Sequence, residues 1–182
     1  PGYGESAVLH LGDGTWGIVD SCFGVWSKDV PAALWYLDFL GVDVGSQVSF
    51  VCATHWHDDH IAGLSSVVQA CTNAKLYASS AMASEEMIAL ARLQDNSVLD
   101  GYGIKEFNAL LKTCRSLGRK IHRVAQDTVL EAFVIGSEPG QVQALSPSSQ
   151  SVELAIAALA KRIPEAGRPQ LNVAATGPNH HS

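Results

Sequence analysis

The sequence predicts a mixed α/β fold, on three observations. A strand hairpin, a helix, a buried strand, a second helix and a further strand follow one another before the chain turns to more helix. The run Val48-Ser49-Phe50-Val51-Cys52-Ala53 is almost continuously apolar, as expected of a central strand covered on both faces. A cluster of polar, ligand-bearing residues begins directly after it, where open sheets carry their sites, at the carboxyl end of a strand.

Each element has its own signal. Ser6 to Leu11 alternates as a strand, Gly12-Asp13-Gly14 is turn chemistry, and Thr15 to Asp20 reads as the hairpin partner. Pro31 suits the first turn of a helix in which Leu34, Leu37 and Leu40 recur, and Gly41 is a natural stop. After the polar cluster, Ile61, Leu64, Val67, Val68 and Cys71 have helical spacing, and Lys75 to Ala78 is a short strand. Ser84-Glu85-Glu86 introduces a helix to about Gln94, Gly101 to Gly103 breaks the pattern, and a helix follows over Lys105 to Leu117. Ile121 to Val124, Thr128 to Ile135 and Val142 to Leu145 are the later strands. Ser146 to Ser149 forms a turn and cap before a helix striped with Val152, Ile156 and Leu159.

Bulk composition bounds the partners. The 182 residues are 47% hydrophobic and 16% charged, enough for one domain with a substantial core. A formal net charge of −6 with no block of Lys or Arg leaves no footprint for strong electrostatic binding to nucleic acid. Four dispersed cysteines, in no CxxC pattern, read as buried free thiols. No run approaches the roughly 18 apolar residues of a membrane span, and no leader is visible, so a cytoplasmic location is expected.

The chemistry is concentrated in Thr54-His55-Trp56-His57-Asp58-Asp59-His60-Ile61-Ala62-Gly63. On a helix, His55 and Asp59 would share a face while His57 and His60 lay well round from it. In an extended segment, His55 and His57 point the same way and can grip one ion. Asp59 and His60, where the chain turns into the next helix, can address a second. Imidazole and carboxylate together suit a transition metal. Such an ion lowers the pKa of bound water from about 15.7 to about 7, and two ions roughly 3.5–4 Å apart also polarise a carbonyl or phosphoryl oxygen. Asp59 could both ligate and orient the attacking water.

The pattern His55-x-His57-x-Asp59-His60, with Thr54 before it and Ile61-Ala62-Gly63-Leu64 after it, resembles the signature of the metallo-β-lactamase fold hydrolases. Gly4 to Leu9, Gly12-Asp13-Gly14 and Ile18-Val19-Asp20 are similar to the opening hairpin of that fold, nearest the branch that holds the metallo-hydrolase domain of DNA-uptake competence proteins. The resemblance implies a four-layer αββα sandwich spanning residues 1–182 and lacking its C-terminal part. It implies a dinuclear centre, usually zinc and sometimes manganese or iron. His55 and His57 would serve one metal, Asp59 and His60 the other, and Asp20 would buttress the site. The resemblance also implies a later His, a bridging Asp and a distal His, which a missing C-terminal segment or a second chain would supply. His122 is expected to be structural, as is His10, whereas His180 is a candidate late ligand. The implied activity is hydrolysis, first of a phosphodiester in nucleic acid or a nucleotide. The alternatives are a small ester, lactone, thioester or β-lactam, or a partner-dependent metal-binding module.

Overall fold

A computed structural model describes residues 4–26, 28–94, 102–161 and 163. In chain order the elements are β1 (Ala7–His10), β2 (Trp16–Val19), α1 (Ala32–Phe39), α2 (Val44–Gln47), β3 (Val48–Ala53), α3 (Asp58–Ile61), α4 (Leu64–Ala70) and β4 (Lys75–Ser79). There follow α5 (Glu85–Gln94), α6 (Tyr102–Ser116), β5 (Ile121–Val124), β6 (Val129–Ile135), β7 (Glu138–Gln143) and α7 (Ser149–Ala160).

Strands β1 to β5 form one sheet in sequence order. The β1–β2 hairpin is antiparallel, and β2, β3, β4 and β5 run parallel to one another. Strand β3 is central and nearly all buried, as its apolar run predicts. Its alternating side chains serve two cores: Val51 and Ala53 pack under the helices with Leu37, Leu64, Phe107 and Leu110, while Phe50 and Cys52 face the other way. On that second face, Phe50, Cys52, Tyr77 and Val124 meet Leu130, Phe133 and Val142 of the separate β6–β7 hairpin. Helix α7 packs against α5, on the helical side. The described residues thus make three layers, helix on sheet on sheet, consistent with the metallo-β-lactamase fold; the outer helical layer of an αββα sandwich is not among them.

Several local expectations are sharpened. Pro31 stands one residue outside α1, at its N-cap, and Gly41 ends the helix with φ 73° while Val42 N–H bonds back to the Leu37 carbonyl at 2.9 Å. The apolar recurrence after Asp58 is two helices rather than one, broken at Gly63, whose φ of 78° favours glycine. Gly103 does not break a helix but lies in the first turn of α6. The last strand is Glu138–Gln143 and not Val142 to Leu145. It is zipped to β6 from Ile135 opposite Glu138 back to Val129 opposite Gln143, so pairing overrides the poor strand propensity of Pro139 and Gly140.

Arg119 ties the helical layer to the sheet. Its guanidinium donates to the Val68 carbonyl at 2.6 Å, to the Cys71 carbonyl at 2.9 Å and to the Ala74 carbonyl, at the carboxyl end of α4. The four cysteines are free and buried. No helix among the described residues is long and apolar enough to cross a membrane.

Candidate metal centre

The site is built where β2 and β3 end side by side. Parallel pairing sets Val19 opposite Cys52, so Asp20 and Thr54 leave their strands as neighbours. Asp20 takes a left-handed backbone, φ 60°, which aspartate tolerates better than most side chains. That turn aims its carboxylate back at the next strand. Oδ1 accepts the Thr54 amide at 2.7 Å, and Oδ2 accepts the Thr54 hydroxyl at 2.6 Å and His60 Nδ1–H at 2.9 Å.

Backbone bonds stitch the loop down around this carboxylate. Glu5 N–H donates to the Asp59 carbonyl at 2.8 Å, Ser21 N–H to the His60 carbonyl at 2.7 Å, and the Ser21 hydroxyl to the Ala62 carbonyl at 2.7 Å. His57 is extended (φ −75°, ψ 151°) and Asp58 to Ile61 form a single helical turn. An extended His55–His57 followed by a turn carrying Asp59 and His60 is the arrangement expected from the spacing.

The hydrogen-bond inventory sets the state of His55. The Thr54 hydroxyl has one proton, which goes to the Asp20 carboxylate, a group that only accepts. The same hydroxyl lies 2.9 Å from His55 Nδ1 and must therefore accept from Nδ1–H. His55 Nε2 is left as a bare lone pair, buried, with no hydrogen-bond partner. Such an orphan is costly unless something else occupies it. Burial, first, and the neighbouring His60 and His57 rings hold the His55 pKa below its ordinary value, against the opposing pull of Asp20 and Asp59. The neutral ring is the form that binds a metal.

His60 follows the same logic. With Nδ1–H committed to Asp20, Nε2 faces Asp59 Oδ2 at 3.6 Å, too far for a hydrogen bond. Ligand atoms of His55, His57 and Asp59 all lie within 4.8 Å of one another, as do those of Asp20, His55 and His60. In the second group the Asp20 carboxylate is already engaged by Thr54 and His60, so it is placed to orient His60 rather than to act as a donor itself. His55, His57, Asp59 and His60 are thus brought together, and the orphaned Nε2 with its imidazole and carboxylate neighbours fits a transition metal.

Other histidines stand apart. His10 stacks on Trp16 with ring centroids 4.3 Å apart, and His122 is exposed on β5 beside Tyr77. Among the described residues, neither belongs to a ligand group. His180 lies outside the described residues. Thiol chemistry is disfavoured beside the centre, because burial and then the Asp20 charge push Cys52 up to about 12 and raise Cys22 as well.

A cavity of about 690 Å³ opens on the cluster, lined by Glu5, Asp20, Thr54, His55, Asp59 and His60 among others. The contributions of Glu5, the Thr54 hydroxyl and Ser21 are not visible in sequence; for Thr54 the only signal is its place before the first histidine.

The sequence model of the metallo-beta-lactamase superfamily matches residues 7–151. The chain belongs to the metallo-β-lactamase superfamily. The match takes in β1 through the start of α7, and with it both strand ends that carry Asp20 and the histidine loop. No curated protein and no solved structure matches the chain. Membership and the clustered donors together support a metal-dependent hydrolase in general.

Proposed function

We propose that His55, His57, Asp59 and His60 are the metal ligands and that Asp59 also orients the attacking water in a hydrolytic reaction. The buried, partnerless His55 Nε2 is the observation that carries this reading. Zinc is the metal the donor set favours, with manganese or iron as alternatives. When bound, the ions would supply an activated water and polarise the oxygen of the scissile group. The chain's own residues do the rest. Asp20 holds His60 and, through the Thr54 hydroxyl, His55 in the ligating tautomer. Glu5 and Val19 wall the cavity.

The likeness to the competence branch makes a phosphodiester the first substrate reading. A specific observation favours the second, a small ester, lactone, thioester or β-lactam. Among the described residues no Lys or Arg lines the cavity, and an adjoining apolar recess of about 270 Å³, which shares Val19 and Thr54 with it, is lined by Val124, Leu130 and Val142 among others. An apolar acyl group fits that surface better than a flanking phosphate does.

Further ligands are proposed to come from outside the described residues or from a second chain, because the two donor groups share His55. The test is metal content with turnover on a panel of phosphodiester, lactone, thioester and β-lactam substrates, for the wild type and for His57→Ala and Asp59→Ala. Loss of metal-dependent turnover in both variants is expected. If neither lowers it, the loop is not the active site. Full activity from residues 1–182 without a partner would overturn the view that ligands come from another chain.

A further inference from the structure

Asp58 interrupts the ligand series, between His57 and Asp59, yet takes no part in either donor group. Its carboxylate turns the other way and accepts a hydrogen bond from the Gly103 amide, in the first turn of α6. The approach there is close. A Cβ built on Gly103 would stand 2.2 Å from the Trp56 carbonyl oxygen and 3.0 Å from Asp58 Oδ1, so the helix rests on the backbone of the metal loop.

A second bond runs in the opposite sense. Glu106, one turn along α6, accepts the Ser65 amide at 2.8 Å, in the first turn of α4. Each helix start thus receives a carboxylate from the other segment. Between the two bonds, Ile61 and Leu64 pack with Phe107 in the fully buried core. The ligand-bearing turn α3 is only four residues long and cannot hold its own geometry.

We infer that the first turn of α6 is the positioning element of the metal loop, with Asp58, Gly103 and Glu106 fixing the orientation of His57, Asp59 and His60. None of the three touches a reacting atom; they act through the ligands. This rests on the proposal that the loop binds metal, and metal binding gives it a readout apart from turnover.

The experiment is Co²⁺ titration of the full chain, followed by the visible spectrum, for the wild type, Asp58→Ala, Asp58→Asn, Glu106→Ala and Glu106→Gln. Partners that orient ligands are worth roughly 10–100-fold in metal affinity. A weakening on that order with an altered spectrum is expected for both alanine variants. The amides Asp58→Asn and Glu106→Gln keep an acceptor oxygen and should restore binding to within a few-fold. Thermal unfolding of the metal-free variants checks that they fold. Should Asp58→Ala fail to fold, Glu106→Ala, remote from the loop in sequence, carries the same comparison. Wild-type affinity and spectrum in a folded Asp58→Ala or Glu106→Ala overturn the inference while leaving the metal site standing. No Co²⁺ binding by the wild type overturns both.

Discussion

The Thr54 hydroxyl donates its single proton to Asp20 Oδ2 across 2.6 Å. That bond joins the ends of two parallel strands, and through it Asp20 dictates which nitrogen of His55 is free. Replacing Thr54 by valine keeps the shape but removes the relay, leaving Nδ1–H without its acceptor. Thr54→Val is expected to weaken metal binding by roughly 10–100-fold, and Thr54→Ser by no more than a few-fold. Competition with a chromophoric chelator measures both.

Asp20→Asn separates charge and donor pattern from backbone shape. Asparagine also tolerates a left-handed φ, and it can still accept the Thr54 amide. Its NH₂ then faces the Thr54 hydroxyl and His60 Nδ1, where acceptors are needed. His60 must move its proton to Nε2, so metal affinity should fall more than tenfold with the fold retained. Asp20→Ala additionally strands the Thr54 amide and should cost about 1–3 kcal/mol of stability, read from urea denaturation.

The metal-free protein should lose stability in mild acid. His55 is harder to protonate when folded than its ordinary 6.5. Above that value both states are neutral at this residue and its contribution is complete. As pH falls through 6.5 toward the lower folded value, the unfolded chain takes up a proton that the native chain refuses, and stability declines. Urea midpoints of chelator-treated protein between pH 8 and pH 5.5 test this. The slope should be shallower in His55→Gln.

Cys52 and Cys71 are each pushed up to about 12 by burial, and Cys22 and Cys114 are raised in the same direction. All four should resist a thiol reagent at pH 8 in the native state and react together after unfolding in guanidinium, for four thiols per chain. Fast modification of any one in the folded protein would contradict its burial.

Arg119 should be a stability residue with no part in the chemistry. It satisfies the Val68, Cys71 and Ala74 carbonyls, which Arg119→Met would leave without that donor. A loss of about 2–3 kcal/mol is expected, with metal affinity unchanged.

The local features were legible because they depend on near neighbours in the chain. The apolar run of β3 announces a strand covered on both faces, Gly41 stops α1, and the spacing of His55 and His57 already demands an extended segment, since a helix would scatter them. The four candidate donors and the class of metal they would suit follow from donor chemistry in the same way. What lay beyond the sequence is each contact made across the fold. The likeness to the family signature picks out Asp59 over Asp58 but gives no physical reason; in the fold, Asp58 lies against the Gly103 amide of α6 while Asp59 stands in the histidine cluster. The likeness to the family marks Asp20 as a buttress, but nothing near it says that it will reach groups 35 and 40 residues further on. Parallel pairing of β2 with β3 brings those groups together, and a single hydroxyl proton then decides the tautomer. Sequence spacing can identify donors, but their directions are set by tertiary hydrogen bonds.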